Sequence, residues 1–268
     1  MISVPDQTDA EASRAARYDR VYAVVSRDPL VHDLHRQALG EEYPEGIDVT
    51  GSCTRGTLER ALAGLRLPKD GLLVDLGCGL GGPGRWLARE SGARVLGVDV
   101  SQVAVDVATE AARGYLAAGR YEYRRASFSA TGLPDGCADG VVAIEALPMA
   151  PDRAAALAEV HRVLRPGGRA TFTGGERRGP AGNGAAFRWA PLIEAAGLDL
   201  VSSHVDEARG RRWLAVCALQ LEHEAELRAG LGDLAEDFLQ EARAAPANWG
   251  VPGLVGVQFV VRRPISRA

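Results

Sequence analysis

Leu72-Leu73-Val74-Asp75-Leu76-Gly77-Cys78-Gly79-Leu80-Gly81-Gly82-Pro83-Gly84 decides the fold of this chain. An apolar run ends in Asp75, a glycine-dense turn follows, and Arg85-Trp86-Leu87-Ala88-Arg89 has the pattern of a helix. Strand, glycine turn and helix in that order make the first half of a βαβ nucleotide-binding unit. The glycines allow a sharp turn and let a ligand press on bare backbone. Further on, Arg94-Val95-Leu96-Gly97-Val98-Asp99 reads as the next strand, again ending in a carboxylate. An acid there accepts hydrogen bonds from the ribose hydroxyls of an adenosine.

Two ligands fit the glycines alone. Gly77, Gly79 and Gly82 match the dinucleotide spacing, whereas Gly77, Gly79 and Gly81 match that of enzymes using S-adenosylmethionine (SAM). Asp75 separates them. A pyrophosphate seeks helix N-terminal amides and is repelled by a carboxylate at the strand mouth. SAM carries an ammonium and a sulfonium, which Asp75 balances. Asp75-Leu76-Gly77-Cys78-Gly79-Leu80-Gly81, Gly97-Val98-Asp99-Val100-Ser101 and Leu164-Arg165-Pro166-Gly167-Gly168 occur in that order. On these three blocks the chain resembles the class I SAM-dependent methyltransferases, over a stretch from about Leu65 to Glu176.

The resemblance implies an α/β fold: a Rossmann-like, mostly parallel seven-stranded sheet with helices on both faces and the last strand antiparallel. Extra helices are expected at the N-terminus and late in the chain. Residues 1–65 are expected to form a helical lid. Residues 66–268 would be the SAM-binding domain, with a helical insertion at about 207–245. By the same resemblance Gly77, Cys78, Gly79 and Gly81 contact the cofactor, Asp99 takes its ribose, and Val100 and Gln102 flank the adenine. Many relatives hold the adenine amine with an acid after the third strand. Here Ser127, or Ser129, and the amide of Phe128 are left to do so. Tyr18 and Glu145 complete the expected cofactor contacts, and S-adenosylhomocysteine (SAH) would be the product.

Composition sets the outer limits. A length of 268 residues suits one large α/β domain with additions. A net charge of −4 gives no reason to expect a nucleic-acid partner, and the run Arg209-Gly210-Arg211-Arg212 reads as a solvated helix start. Cys53, Cys78, Cys137 and Cys217 form no Cys-x-x-Cys pair and have no histidine at metal spacing, so they read as free thiols, with no metal site. No signal pattern and no membrane-length apolar run is present, and the chain reads as cytoplasmic. Association as a homodimer is left open.

Met1 to Ala10 reads as frayed, and helical spacing runs from Glu11 to Val25 and from Pro29 to Leu39. Thr57–Leu65 is expected as a helix, followed by alternating strands and helices, among them a helix Val103–Ala118 capped by Ser101. A helix Pro151–Leu164 is expected to stop at Pro166-Gly167-Gly168, and Arg169–Thr173 to be the fifth strand. Gly179 to Gly184 reads as a loop. Arg211–Ala229 and Leu231–Ala244 read as two amphipathic helices before a last strand at Val255–Arg262.

The catalytic side is less defined. Relatives often carry a histidine after the fourth strand, but the segment here is Glu145-Ala146-Leu147-Pro148-Met149. The remaining candidates for a base are His32, His35, Glu145, Glu176 and Tyr22. His32 and His35 lie one turn apart and also read as a solvated pair beside Asp33; Tyr18 and Tyr22 also read as simple helix packing. His161 and His223 read as structural or solvated, while His204 ends a strand. Methyl transfer is a displacement in which positioning supplies much of the acceleration, and a base is needed mainly for a weakly acidic hydroxyl. The reading is therefore SAM-dependent O- or N-methylation of a small molecule, of the kind found in natural-product tailoring. The rivals are a protein of this fold with non-methylating chemistry, such as a cyclase, and a non-catalytic nucleotide-binding protein.

Overall fold

The computed structural model describes residues 7–26, 28–47, 49, 51–177, 187–250 and 253–265. The first residues of the stretch read as frayed and the loop Gly179 to Gly184 lie outside them.

Three helices come first: α1 (Gln7–Val25), α2 (Pro29–Leu39) and α3 (Arg55–Leu65). Asp28 caps α2 by accepting from the Leu30 amide at 2.9 Å, and Pro29 fits the first turn, where its missing N–H costs nothing. Thr54 caps α3. The alternating core then runs β1 (Leu72–Leu76), α4 (Gly82–Ser91), β2 (Arg94–Asp99), α5 (Gln102–Arg113), β3 (Tyr121–Arg125), β4 (Ala138–Ala143), α6 (Arg153–Val163) and β5 (Leu164–Arg177). After it come α7 (Ala190–Ala195), β6 (Asp199–Asp206), α8 (Arg209–Glu222), α9 (Glu224–Leu231), α10 (Ala235–Trp249) and β7 (Leu254–Arg262).

The seven strands form one sheet in the order β3-β2-β1-β4-β5-β7-β6. β1 pairs in parallel with both β2 and β4, so the strand order reverses beside Asp75. β7 runs antiparallel to β5 and to β6, as the resemblance implies. Period-two alternation sends neighbouring residues to opposite faces. Val74 joins an apolar cluster with Phe172, Trp189 and Phe259, while Leu73 joins another with Leu58, Leu65 and Leu87. α3 belongs to this sheet layer: its Thr57 carbonyl accepts from Gln258 of β7 at 3.0 Å. A separate cluster of Val25, Val31, Leu34, Leu227, Leu231 and Leu239 joins the N-terminal helices to α9 and α10.

α1 begins at Gln7, within the stretch read as frayed, and three further boundaries differ most from the sequence reading. α5 ends at Arg113 rather than Ala118, because Gly114 caps it and the Tyr115 amide turns back to the Ala112 carbonyl at 3.0 Å. β5 begins at Leu164, ahead of Pro166-Gly167-Gly168. Leu164 pairs with Ala138 and Arg169 with Gly140, so the proline and glycines sit in a bulge that absorbs the missing donor. The late insertion holds three helices rather than two, broken at His223 and at Gly232, whose φ is 57°.

Candidate functional site

A cavity of about 840 Å³ opens above the carboxyl ends of β1, β2 and β4, where the strand order reverses. Gly77, Cys78 and Gly79 form its floor, with Asp99, Val100 and Phe128 on one side and Ile144, Glu145 and Ala146 on the other. The glycines are required here. Gly77 has φ 67°, and a Cβ would stand 2.7 Å from Ala146 and 2.9 Å from the Phe128 ring. Gly79 has φ 49°, and its Cβ would meet the Tyr22 hydroxyl at 2.9 Å.

Asp99 is held rigidly at this floor. Its Oδ2 accepts from the Gly79 amide at 2.9 Å and its Oδ1 from the Ser101 amide at 3.0 Å. Burial pushes its carboxyl above the usual range, opposed by those two amides and that of Val100. Asp75 is 2% exposed and faces the backbone at Gly84, where a Cβ would collide with its carboxyl, instead of lining the cavity. Its Oδ2 has no well-formed hydrogen bond, and burial pushes the group up to about 7; the Gly84 amide opposes this and the charge of Asp99 adds to it. Burial also pushes up the Cys78 thiol and the Tyr22 phenol, with Asp75 and Asp99 adding to both shifts. The floor is thus short of positive charge: a cationic ligand relieves these groups, whereas a pyrophosphate adds to the strain.

The structure brings together most of the residues singled out above and separates others. Tyr18 and Tyr22 of α1 both line the cavity, their rings stacked with centroids 6.0 Å apart. Gly81 is turned to packing, since a Cβ would meet Ala108 and the Tyr123 hydroxyl at 2.9 Å. Gln102 donates to Asp106 at 2.9 Å on the exposed side of α5. The Ser127 and Ser129 hydroxyls bond each other at 3.4 Å, and neither residue lines the cavity, while Phe128 between them does.

None of the histidines lines the cavity. His35 is 1% exposed, with its Nδ1 2.7 Å from the Val31 carbonyl and its ring packed on Trp213, so it is no member of a solvated pair. The apolar face that α2 turns toward α8 draws it inward. His204 lines a separate polar cleft with Arg60 and Arg212. Glu176 holds the start of the α7 segment, accepting from the Trp189 amide at 3.0 Å and from Arg188 at 3.1 Å.

Glu145 is committed to a clamp. Its Oε2 accepts from Arg209 Nη2 at 2.6 Å and from Ser52 at 3.2 Å, and its Oε1 accepts from the Thr173 hydroxyl at 3.0 Å. Arg209 also donates to Ser52 at 2.9 Å and to the Gly174 carbonyl at 3.1 Å, and lies 4.9 Å from the Trp249 ring centroid. At 7% exposure Arg209 is no solvated helix start. The sequence reading missed it because nothing local pairs an arginine with a glutamate 64 positions away.

Arg209, Trp213 and Gln220 line the cavity from one side of α8, at spacings that share a helix face. Gln220 is 4% exposed, and its side chain makes no hydrogen bond among the described residues. Val21 and Val25 of α1 and Phe238 of α10 line the cavity too, as does Trp249, whose ring lies against Arg209. This half combines that apolar and aromatic surface with the charged side chains of Arg14, Arg17, Asp237 and Glu241. The helical pattern of α8 and α10 is legible in the sequence; that the two pack on each other through Cys217, Ala242 and Ala245 while Trp213 and Phe238 line the cavity is not.

Comparison with known proteins agrees with this geometry. Residues 74–172 match the family model described as a methyltransferase domain. The chain is 31% identical over 170 residues to sterol 24-C-methyltransferase erg-4 of Neurospora crassa, covering 60% of this chain and 44% of that protein. It is 34% identical over 126 residues to methyltransferase GfsG of Streptomyces halstedii, covering 47% of this chain and 45% of that one. It thus spans less than half the length of these relatives. Among solved structures, the [4+2]-cyclase SpnF has the same fold, with a TM-score of 0.74 at 19% identity over 94% of this chain and 97% of that one. Phosphoethanolamine N-methyltransferase 2 of Haemonchus contortus, solved with SAM, gives 0.69 at 15% identity, over 92% of this chain and 60% of that one. Among the described residues no helix is long and apolar enough to cross a membrane, and no group of side chains is placed to hold a metal ion. With the reversing sheet and the glycine floor, residues 74–172 are a match to a methyltransferase domain, set in a Rossmann-like sheet of the fold these methyltransferases share.

Proposed function

We propose that this protein transfers the methyl group of SAM to a small, largely apolar acceptor. The observation that carries the reading is the cavity floor: bare glycine backbone beside Asp99, with buried Asp75 beneath, and, among the described residues, no cation paired with either carboxylate. Asp99 would hold the ribose, the amides of the glycine turn the amino-acid end, and Phe128 and Val100 the adenine. SAM supplies an activated methyl on a sulfonium; the protein supplies alignment and a dry site.

The cavity lining decides what the acceptor needs. Glu145 is neutralised by Arg209, and the phenol of Tyr22 is held protonated by burial. Of the other carboxyls lining the cavity, Asp99 is assigned to the ribose, and Asp237 and Glu241 belong to α10, with Arg14 and Arg17 of α1 lining it too. A nucleophile that reacts without losing a proton first, a neutral amine or an electron-rich carbon, therefore suits the site better than a hydroxyl. Carbon methylation is what the names of the sterol 24-C-methyltransferases state of those relatives. The cavity wall formed by Trp213, Val21 and Phe238 would take the acceptor's apolar body, with Gln220 offering a hydrogen bond at the end of α8 remote from Arg209. Production by a tailoring pathway and residence in the cytoplasm are part of this reading.

The same lack of a base supports a second reading, a ring closure steered by cavity shape with the cofactor retained as a structural element. The test is one incubation with labelled SAM and candidate acceptors, followed by mass spectrometry. A product heavier by one CH₂, with SAH released, supports methyl transfer. A product of unchanged mass supports the second reading. Binding of NAD in place of SAH would leave neither.

A further inference from the structure

α1 carries two cavity-lining tyrosines, yet no backbone pairing ties it to the sheet. Its apolar side packs on α9 and α10, and its polar tie to the sheet layer is Asp19, between Tyr18 and Tyr22 in sequence. Its Oδ1 accepts from the Ser101 hydroxyl at 2.6 Å and from the Val103 amide at 3.2 Å. Ser101 is fully buried and caps α5 by accepting from the Ala104 amide at 3.1 Å. A helix leaves its first amides without partners inside the helix. Here Ser101 satisfies one and Asp19, arriving from another helix, satisfies the next. The carboxylate also sits at the positive end of α5, where negative charge is favoured.

The same turn serves the cofactor floor. The Ser101 amide donates to Asp99 Oδ1, while its hydroxyl donates to Asp19. One residue therefore links the acid assigned to the ribose with the helix whose Tyr22 lies over Gly79. We propose that Asp19 is a positioning residue for cofactor retention, a latch that pins α1 across the bound cofactor by capping α5. This rests on the cavity being the SAM site. The latch itself rests on the hydrogen bonds above.

Two measurements on the full-length protein separate the latch from that reading. The first is hydrogen–deuterium exchange across residues 12–25 without ligand. Asp19→Ala should raise exchange there and leave β1 and β2 unchanged; unchanged exchange in α1 would overturn the latch. The second is the SAH dissociation rate by stopped flow. Loss of one cap and its charge predicts release faster by about tenfold in Asp19→Ala, with the association rate little altered. Asp19→Asn, which keeps an acceptor oxygen, should recover part of the difference. Release at the wild-type rate from Asp19→Ala would overturn the proposed role in retention. If the wild type binds no SAH, the cofactor reading fails, and the exchange result alone decides whether Asp19 pins α1.

Discussion

Glu145 and Arg209 meet through a 2.6 Å contact between Oε2 and Nη2, joining the end of β4 to the first turn of α8. The arginine is 9% exposed in its side chain and the glutamate 24%, so solvent screens the pair little on one side and partly on the other. Glu145 also has φ 57°, an uncommon conformation for a residue with a side chain. The pair costs backbone strain at one partner and desolvation at the other, and it survives because Ser52, Thr173 and Gly174 complete its hydrogen bonds.

Glu145→Ala should therefore destabilise the fold by about 3 kcal/mol, because it strands a buried guanidinium. Glu145→Gly should cost about 1 kcal/mol less, since glycine accepts the positive φ without strain. Urea unfolding of both variants checks the order. Equal stability would show that the backbone at 145 is not strained.

Asp99→Ala should weaken SAH binding at least tenfold, on the order of 1.4 kcal/mol. It should also lower the melting temperature, because the Gly79 and Ser101 amides lose their acceptor at about 1–3 kcal/mol each. Asp99→Asn keeps one acceptor oxygen and should fall between. Calorimetric titration and thermal melts of the two variants separate binding from folding. The sequence alone suggests a pure binding defect, because it does not show that the floor itself hangs on this carboxylate.

Asp75 gives a pH dependence with a definite sign. Its carboxyl is pushed up to about 7 by burial, above the roughly 3.9 expected of the unfolded chain. Between those values the folded state binds a proton that the unfolded state has lost, so its contribution to stability is full at low pH and is lost as pH rises toward 7. Asp75→Asn should remove that slope and make the protein relatively more stable at pH 8, by an amount on the order of a few kcal/mol. Urea unfolding of both proteins at pH 5, 6, 7 and 8 tests it; parallel curves would contradict the buried, unpartnered carboxyl.

Gly77→Ala meets two obstacles at once, the positive φ and contacts of 2.7 Å and 2.9 Å with Ala146 and Phe128. We expect a loss of about 2–3 kcal/mol in stability and no measurable SAH binding. Retained binding would mean that the floor yields to a methyl group.

What the sequence made legible was local. The apolar runs at Leu72–Leu76 and Arg94–Asp99, the glycine turn and the capping Ser101 are short-range patterns, and the structure has them in place. The boundaries that moved depend on pairing: only the partnership of Arg169 with Gly140 shows that Pro166 sits in a bulge and not past a helix end. The site divides in the same way. Gly77 and Gly79 share one turn and Asp99 ends the strand that follows, 20 positions after Gly79, whereas Asp19 with Ser101 and Glu145 with Arg209 are joined across 82 and 64 positions by packing of helices onto strand ends. The position of His35 shows the converse, because its spacing from His32 suggests a shared face yet cannot say which face is buried.

The most direct measurement is isothermal titration of the purified protein with SAH, with NAD as the comparison. The account predicts saturable one-to-one binding of SAH and no response to NAD. Absence of SAH binding, or tighter binding of NAD, would contradict it.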